Sequence, residues 1–69
     1  LFKLGKLEDA VEAVDQAIFL QPNTKYYYNK ALVLQKLGRL KEAIEACNLS
    51  ININPDNHLA ISLKKDLER

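Results

Sequence analysis

The 69-residue sequence contains one cysteine and one histidine, and these low counts exclude whole classes of protein. A single cysteine cannot form a disulfide within the chain, so a small secreted fold held by disulfides is excluded. The sequence also has no hydrophobic run near the roughly 18 residues that a membrane-spanning helix requires, and no signal-peptide pattern. These absences predict an intracellular, cytoplasmic protein with no membrane partner.

Charge is balanced over the whole chain, since ten basic side chains stand against nine acidic ones. The net charge of +1 gives no electrostatic footprint for nucleic acid, and we expect no nucleic-acid partner. Residues 1–23 are slightly acidic, with two lysines and four carboxylates. An intermixed pattern of this kind is typical of a solvated surface.

Chemistry-bearing residues are isolated from one another, and we expect no enzyme activity, no metal and no cofactor. His58 has no second metal ligand at coordinating spacing. Cys47 lies on an apolar stripe, which favours an inert core thiol over a nucleophile. Gly5 and Gly38 are isolated turn glycines and not a phosphate-binding loop. The sequence therefore predicts that function resides in a surface and not in a catalytic centre.

The sequence contains an internal repeat. Eleven residues that begin at Leu4, LGKLEDAVEAV, return from Leu37 as LGRLKEAIEAC, and Pro22 and Pro55 follow at the same offset of 33 residues. A period in this range is typical of a solenoid of small helical units, none of which can bury its apolar face alone. Because the copies are out of frame with the chain ends and no methionine opens the sequence, we expect a fragment of a longer array.

Apolar residues in both copies recur at spacings of three and four, which predicts an amphipathic helix after each glycine and before each proline. Gly5 and Gly38 are expected to adopt the left-handed conformation that ends one helix and turns the chain into the next. Residues 1–4 then form the stub of an earlier helix.

Two further helices complete the predicted order. One extends from about Lys25 to Leu37, with Thr24 as its N-cap. The last follows Asp56 or Asn57, either of which can cap it. Its apolar side is predicted to consist of Leu59, Leu63 and Leu67.

With these residues placed, the chain resembles the tetratricopeptide repeat family, whose unit is an antiparallel pair of helices about 34 residues long. Tyr27 matches the first aromatic of the family pattern, Ala31 its small residue and Leu34 the bulky residue that follows. The remaining matches are Gly38, Ala43 and Pro55, with Gly5, Ala10, Ala17 and Pro22 in the first copy. The sequence departs from the pattern where Lys30 replaces a leucine, where Cys47 and Val14 replace an aromatic, and where Ser50 replaces a small alanine.

The resemblance implies an all-α fold of antiparallel helix-turn-helix repeats, wound as the right-handed superhelix of an α-solenoid. It assigns residues 1–23 to the C-terminal part of one repeat and residues 24–57 to a complete repeat. Residues 58–69 are either the first helix of a further repeat or a capping helix.

The resemblance also implies a groove that binds peptides, because the first helix of each unit lines the concave surface in this family. The corresponding residues are Lys25, Tyr28, Asn29, Leu32, Gln35 and Lys36, with Phe2 and Lys3 from the stub. An asparagine amide both donates to and accepts from an extended backbone, and a lysine meets a carboxylate, so these residue types suit a peptide.

The implied function is a protein–protein interaction scaffold whose partners are other proteins or peptides. The alternative is the substrate-recognition or regulatory arm of a larger enzyme whose catalytic domain lies outside this sequence. A further alternative is self-association through exposed repeat ends.

Overall fold

The structure is a computed structural model that describes the backbone of residues 2–68 and the side chains of residues 5–68. Four helices follow one another in this range, and they are α1 (Phe2–Leu20), α2 (Thr24–Lys36), α3 (Leu40–Ile53) and α4 (His58–Leu67). Each helix packs against the next, and connections of three or four residues make neighbouring helices antiparallel. The predicted all-α fold of helix-turn-helix repeats is confirmed.

The turn between α2 and α3 is closed by a Schellman motif centred on Gly38. The backbone N–H of Arg39 donates to the carbonyl oxygen of Leu34 at 2.9 Å, and the N–H of Gly38 donates to that of Gln35 at 3.0 Å. Gly38 has a φ of 82°, which only glycine adopts without strain. The predicted turn at this glycine is therefore confirmed.

The predicted turn at Gly5 is wrong, because α1 runs without a break from Phe2 to Leu20 and so includes residues 2–4 of the predicted stub. Among the described residues, positive φ occurs at Gly38 and not at Gly5. A turn of this kind is stabilised by packing between the helices that it joins. Continuing a helix through glycine costs only about 1 kcal/mol, so α1 can include Gly5.

The core lies between α2 and α3 and extends onto α4. Ala31 of α2 and Ala43 of α3 are both 0% exposed, so small side chains let these two helices approach closely. The rest of the core cluster consists of Leu34, Ala46, Cys47, Leu63 and Leu67.

The predicted apolar side of α4 is partly wrong, because Leu59 is 63% exposed while Ala60 is fully buried. Residues four apart on a helix drift by about 40° around its axis. Leu59 therefore lies about 80° from Leu67 and leaves the buried arc, whereas Ala60 falls within it.

A polar cluster joins the start of α2, the end of α3 and the start of α4. Ser50, which is fully buried, donates from Oγ to the carbonyl oxygen of Thr24 at 2.7 Å, and Thr24 Oγ1 donates to the carbonyl oxygen of Ser50 at 2.8 Å. Asn57 Nδ2 donates to Thr24 Oγ1 at 2.9 Å and to Ser50 Oγ at 3.2 Å. We call Thr24, Ser50 and Asn57 the junction cluster. It accounts for a serine at the position where the family pattern has alanine.

The N-caps of α2 and α4 lie at or beside the junction cluster. The predicted N-cap Thr24 is wrong, because Asn23 caps α2 by accepting the Lys25 N–H on Oδ1 at 2.7 Å. Thr24 is instead the first helical residue, and its hydroxyl bonds to Ser50. For α4, one of the two predicted caps is confirmed, since Asn57 Oδ1 accepts the Ala60 N–H at 3.2 Å.

Substitution of the two glycines by alanine should change stability in opposite directions. An added Cβ meets no atom within 4 Å at either position, so backbone conformation decides the sign. Gly38→Ala should lose about 1–2 kcal/mol because of its left-handed φ, and Gly5→Ala should gain about 0.5–1 kcal/mol within a helix. Urea unfolding followed by circular dichroism measures both changes, and a loss at Gly5 would contradict the continuous α1.

Removal of the Ser50 hydroxyl should destabilise the chain although alanine is the usual residue of the family pattern. Ser50→Ala leaves part-buried polar groups of Thr24 and Asn57 with fewer partners, and we expect a loss of about 1–2 kcal/mol in the free energy of unfolding. The exposed Ser62→Ala in α4 is the matched control and should change little. Equal stability of the two variants in urea would show that the junction cluster contributes nothing.

Candidate functional site

The six residues predicted to line a groove lie on one face of α2. A helix rotates by 100° per residue, so these positions fall within an arc of about 120°. We call this surface the α2 face, and it consists of Lys25, Tyr28, Asn29, Leu32, Gln35 and Lys36.

The α2 face combines exposed polar groups with an apolar base. Lys25, Asn29, Gln35 and Lys36 are exposed, whereas Tyr28 and Leu32 are half-buried and pack against the core cluster. The apolar pair therefore anchors the face to the hairpin, and the polar groups point to solvent. The predicted contributions of Phe2 and Lys3 concern side chains outside the described residues.

The opposite side of α2 packs against α3. Tyr27 lines a small cleft between α2 and α3 together with Leu34 and Leu49, which agrees with a role in helix packing. A peptide on this side would have to displace α3, so the α2 face is the side of this helix on which another molecule has access.

Two ion pairs hold α1 beside the hairpin. Lys30 Nζ lies 2.7 Å from Asp15 Oδ1, and Arg39 donates from Nη2 to Glu8 Oε2 at 2.9 Å. All four side chains are partly exposed, so each pair contributes at most about 1 kcal/mol. The first pair explains why a lysine at position 30 is tolerated where the family pattern has leucine.

Cys47 and His58 occupy different environments. Cys47 is 0% exposed in the core, and burial raises the pKa of its thiol, with a smaller opposing effect from Lys64. A raised pKa reduces the thiolate fraction at neutral pH, so the predicted inert thiol agrees with its surroundings. His58 is the exposed first residue of α4. The described residues contain no cluster of three or more His, Cys, Asp or Glu side chains placed to hold a metal ion.

The fold and the α2 face define the class of the molecule as a helical-repeat protein built from antiparallel hairpins. Comparison with family models gives a match to the tetratricopeptide repeat over residues 24–57, which contain α2, α3 and the turn that follows. Residues 24–57 therefore form a tetratricopeptide repeat. Repeats of this family generally mediate protein–protein interaction and are typically non-catalytic.

Two further findings accompany the family match. Neither the comparison with curated proteins nor that with solved structures gives a significant match. None of the helices in the described part of the chain combines the length and the apolar character needed to cross a membrane.

The buried thiol of Cys47 should make the stability of the chain depend on alkaline pH. Its pKa is higher in the folded state than in the unfolded state, so its contribution is fully present below the unfolded pKa and is lost as pH rises through the folded pKa. Urea unfolding of the wild type should show a steeper alkaline loss than Cys47→Ala. Identical pH profiles would contradict the raised pKa.

Proposed function

We propose that this chain is part of a protein-interaction scaffold in which the α2 face binds a segment of another protein. The observation that supports the proposal is the division of α2 into a packed side and an accessible side. Four polar side chains are exposed on the accessible side, while Tyr28 and Leu32 are held by the core. A surface fixed in this way loses little conformational freedom when a ligand binds.

The chemistry of the α2 face favours an extended peptide that carries a carboxylate. The Asn29 side chain offers both a donor and an acceptor to a peptide backbone. Lys25 and Lys36 lie at the two ends of the face and attract negative charge. Tyr28, half-buried at the base of the face, adds aromatic surface that an apolar side chain of the ligand can contact. The same face would serve if the repeat were the substrate-recognition or regulatory arm of a larger enzyme.

Two exposed polar residues of the α2 face provide the cleanest test. Peptides selected from a random display library against the whole chain are titrated by fluorescence anisotropy. Asn29→Ala combined with Lys36→Ala should weaken their binding about tenfold, because it removes a backbone contact and a charge. The matched control is Asn52→Ala with Lys41→Ala, which removes the same residue types from exposed positions of α3 and should change affinity by less than about twofold.

Folding is monitored in the same samples by circular dichroism. Both double variants should retain wild-type helicity, whereas Ala43→Asp buries a charge at the tight contact between α2 and α3 and should unfold the hairpin. Equal losses of affinity in the two double variants, or no loss in either, would show that the α2 face is not the binding surface.

A further inference from the structure

The end of α1 carries the two most exposed large apolar side chains of the described residues. Phe19 is 87% exposed and Leu20 is 82% exposed. Together with Glu12, Asp15 and Gln16 they line a shallow cleft of about 510 Å³. This surface lies on a different helix from the α2 face.

Comparison of the two copies of the internal repeat shows that this helix forms without a phenylalanine at the position of Phe19. At the offset of 33 residues, α3 holds Asn52 in the equivalent position, and this asparagine is also exposed. The same helix in the same kind of unit therefore forms with a polar residue at this point. Phe19 buries little surface in the fold, so its apolar ring is available to another molecule.

Acidic side chains continue from Phe19 along one face of α1. Glu8, Glu12, Asp15 and Phe19 follow at spacings of four, three and four, which places them within about 60° of one another around the helix. We call these four residues the α1 stripe. A second cleft of about 400 Å³ adjoins its acidic part and is lined by Glu8, Asp9, Val11, Glu12 and Asp15. Because the two clefts share Glu12 and Asp15, the stripe is continuous over about 17 Å.

Two of the three carboxylates of the α1 stripe are held by ion pairs, and all three remain accessible. Glu8 and Asp15 pair with Arg39 and Lys30, yet their side chains are still 50% and 47% exposed. Glu12 is exposed beside them, as is Asp9 at the edge of the stripe. A partner therefore meets Glu12 between two paired but still exposed carboxylates, Glu8 and Asp15, with the ring of Phe19 at the end of the row.

We propose that the α1 stripe is a second docking surface and that it binds a basic amphipathic helix of another protein. The stripe is straight and follows one helix face, which matches the packing of a second helix along it. An apolar side chain of the partner occupies the cleft at Phe19, and lysines or arginines one and two turns away lie beside Asp15, Glu12 and Glu8. This surface is independent of the α2 face.

The test uses a synthetic helical peptide of about 14 leucine and lysine residues, long enough to cover the stripe. Its binding to the whole chain is measured by fluorescence anisotropy, and a second peptide carries glutamate in place of every lysine. We expect the basic peptide to bind, the acidic one not to bind, and the affinity to fall when salt rises from about 0.01 M to about 0.15 M.

Variants of the chain distinguish binding of the basic peptide at the α1 stripe from nonspecific electrostatic attraction. Phe19→Asn, which introduces the residue of the second copy, should weaken binding of the basic peptide about tenfold or more. Glu12→Gln should weaken it less and reduce its salt dependence. The matched control Leu59→Asn removes an exposed leucine of α4 and should change affinity by less than about twofold.

Three results would overturn the proposal. The first is equal binding of the basic and acidic peptides, and the second is equal weakening by Phe19→Asn and Leu59→Asn. The third is sedimentation showing that the wild type self-associates and that Phe19→Asn abolishes this, because a second copy would then cover the stripe. Asn29→Ala with Lys36→Ala should leave the basic peptide bound. The proposal for the α2 face and the proposal for the α1 stripe can therefore be refuted separately.

Discussion

The close contact between α2 and α3 is the constraint on which the rest of the structure depends. Ala31 and Ala43 are both fully buried in the core cluster, where their small side chains leave room for the two helices to lie close together. The same packing places Leu34 and Cys47 in one core, and the short turn at Gly38 joins the two helices. Packing forces of this kind are collective and act over short range, and a larger or charged side chain at either alanine would separate the helices. The α2 face lies on one of the two helices that this contact holds, and α1 packs in turn against α2.

Apolar packing alone does not fix the angle at which α4 meets the hairpin, because the hydrophobic effect has little directionality. The junction cluster supplies direction through hydrogen bonds that join three helix ends within 2.7–3.2 Å. Its three polar side chains satisfy one another, and no buried side-chain nitrogen or oxygen of the described residues lacks a partner. A buried polar group that is fully bonded stabilises one arrangement over others, since any shift would leave a donor or acceptor unpaired.

The α2–α3 hairpin could be predicted because its determinants are local: apolar spacing, a glycine at the turn and a proline after the second helix. The wrong predictions concern residues whose state depends on distant partners. Gly5 has nearly the same sequence around it as Gly38 but lies inside the continuous α1, and Thr24 is a good N-cap whose hydroxyl bonds instead to Ser50, 26 residues away. The family resemblance supplied the residues of the α2 face, and helix geometry places them on one side of α2. The resemblance did not single out Phe19, although comparison of the two copies sets this residue against Asn52.

Opposite charge on adjacent helices gives the two proposed surfaces a preference for ligands of different charge. The α2 face carries lysines and the α1 stripe carries carboxylates, while the pairs Lys30–Asp15 and Arg39–Glu8 lie at the boundary between them. Packed helix axes lie about 8–10 Å apart, which is near the Debye length of about 8 Å at physiological ionic strength. Salt therefore screens each surface in part from the charge of the other. On the two proposals, an acidic peptide would meet Lys25 and Lys36, whereas a basic helix would meet Glu12 and the exposed parts of the paired Glu8 and Asp15. The two ligands would therefore not compete for the same side chains.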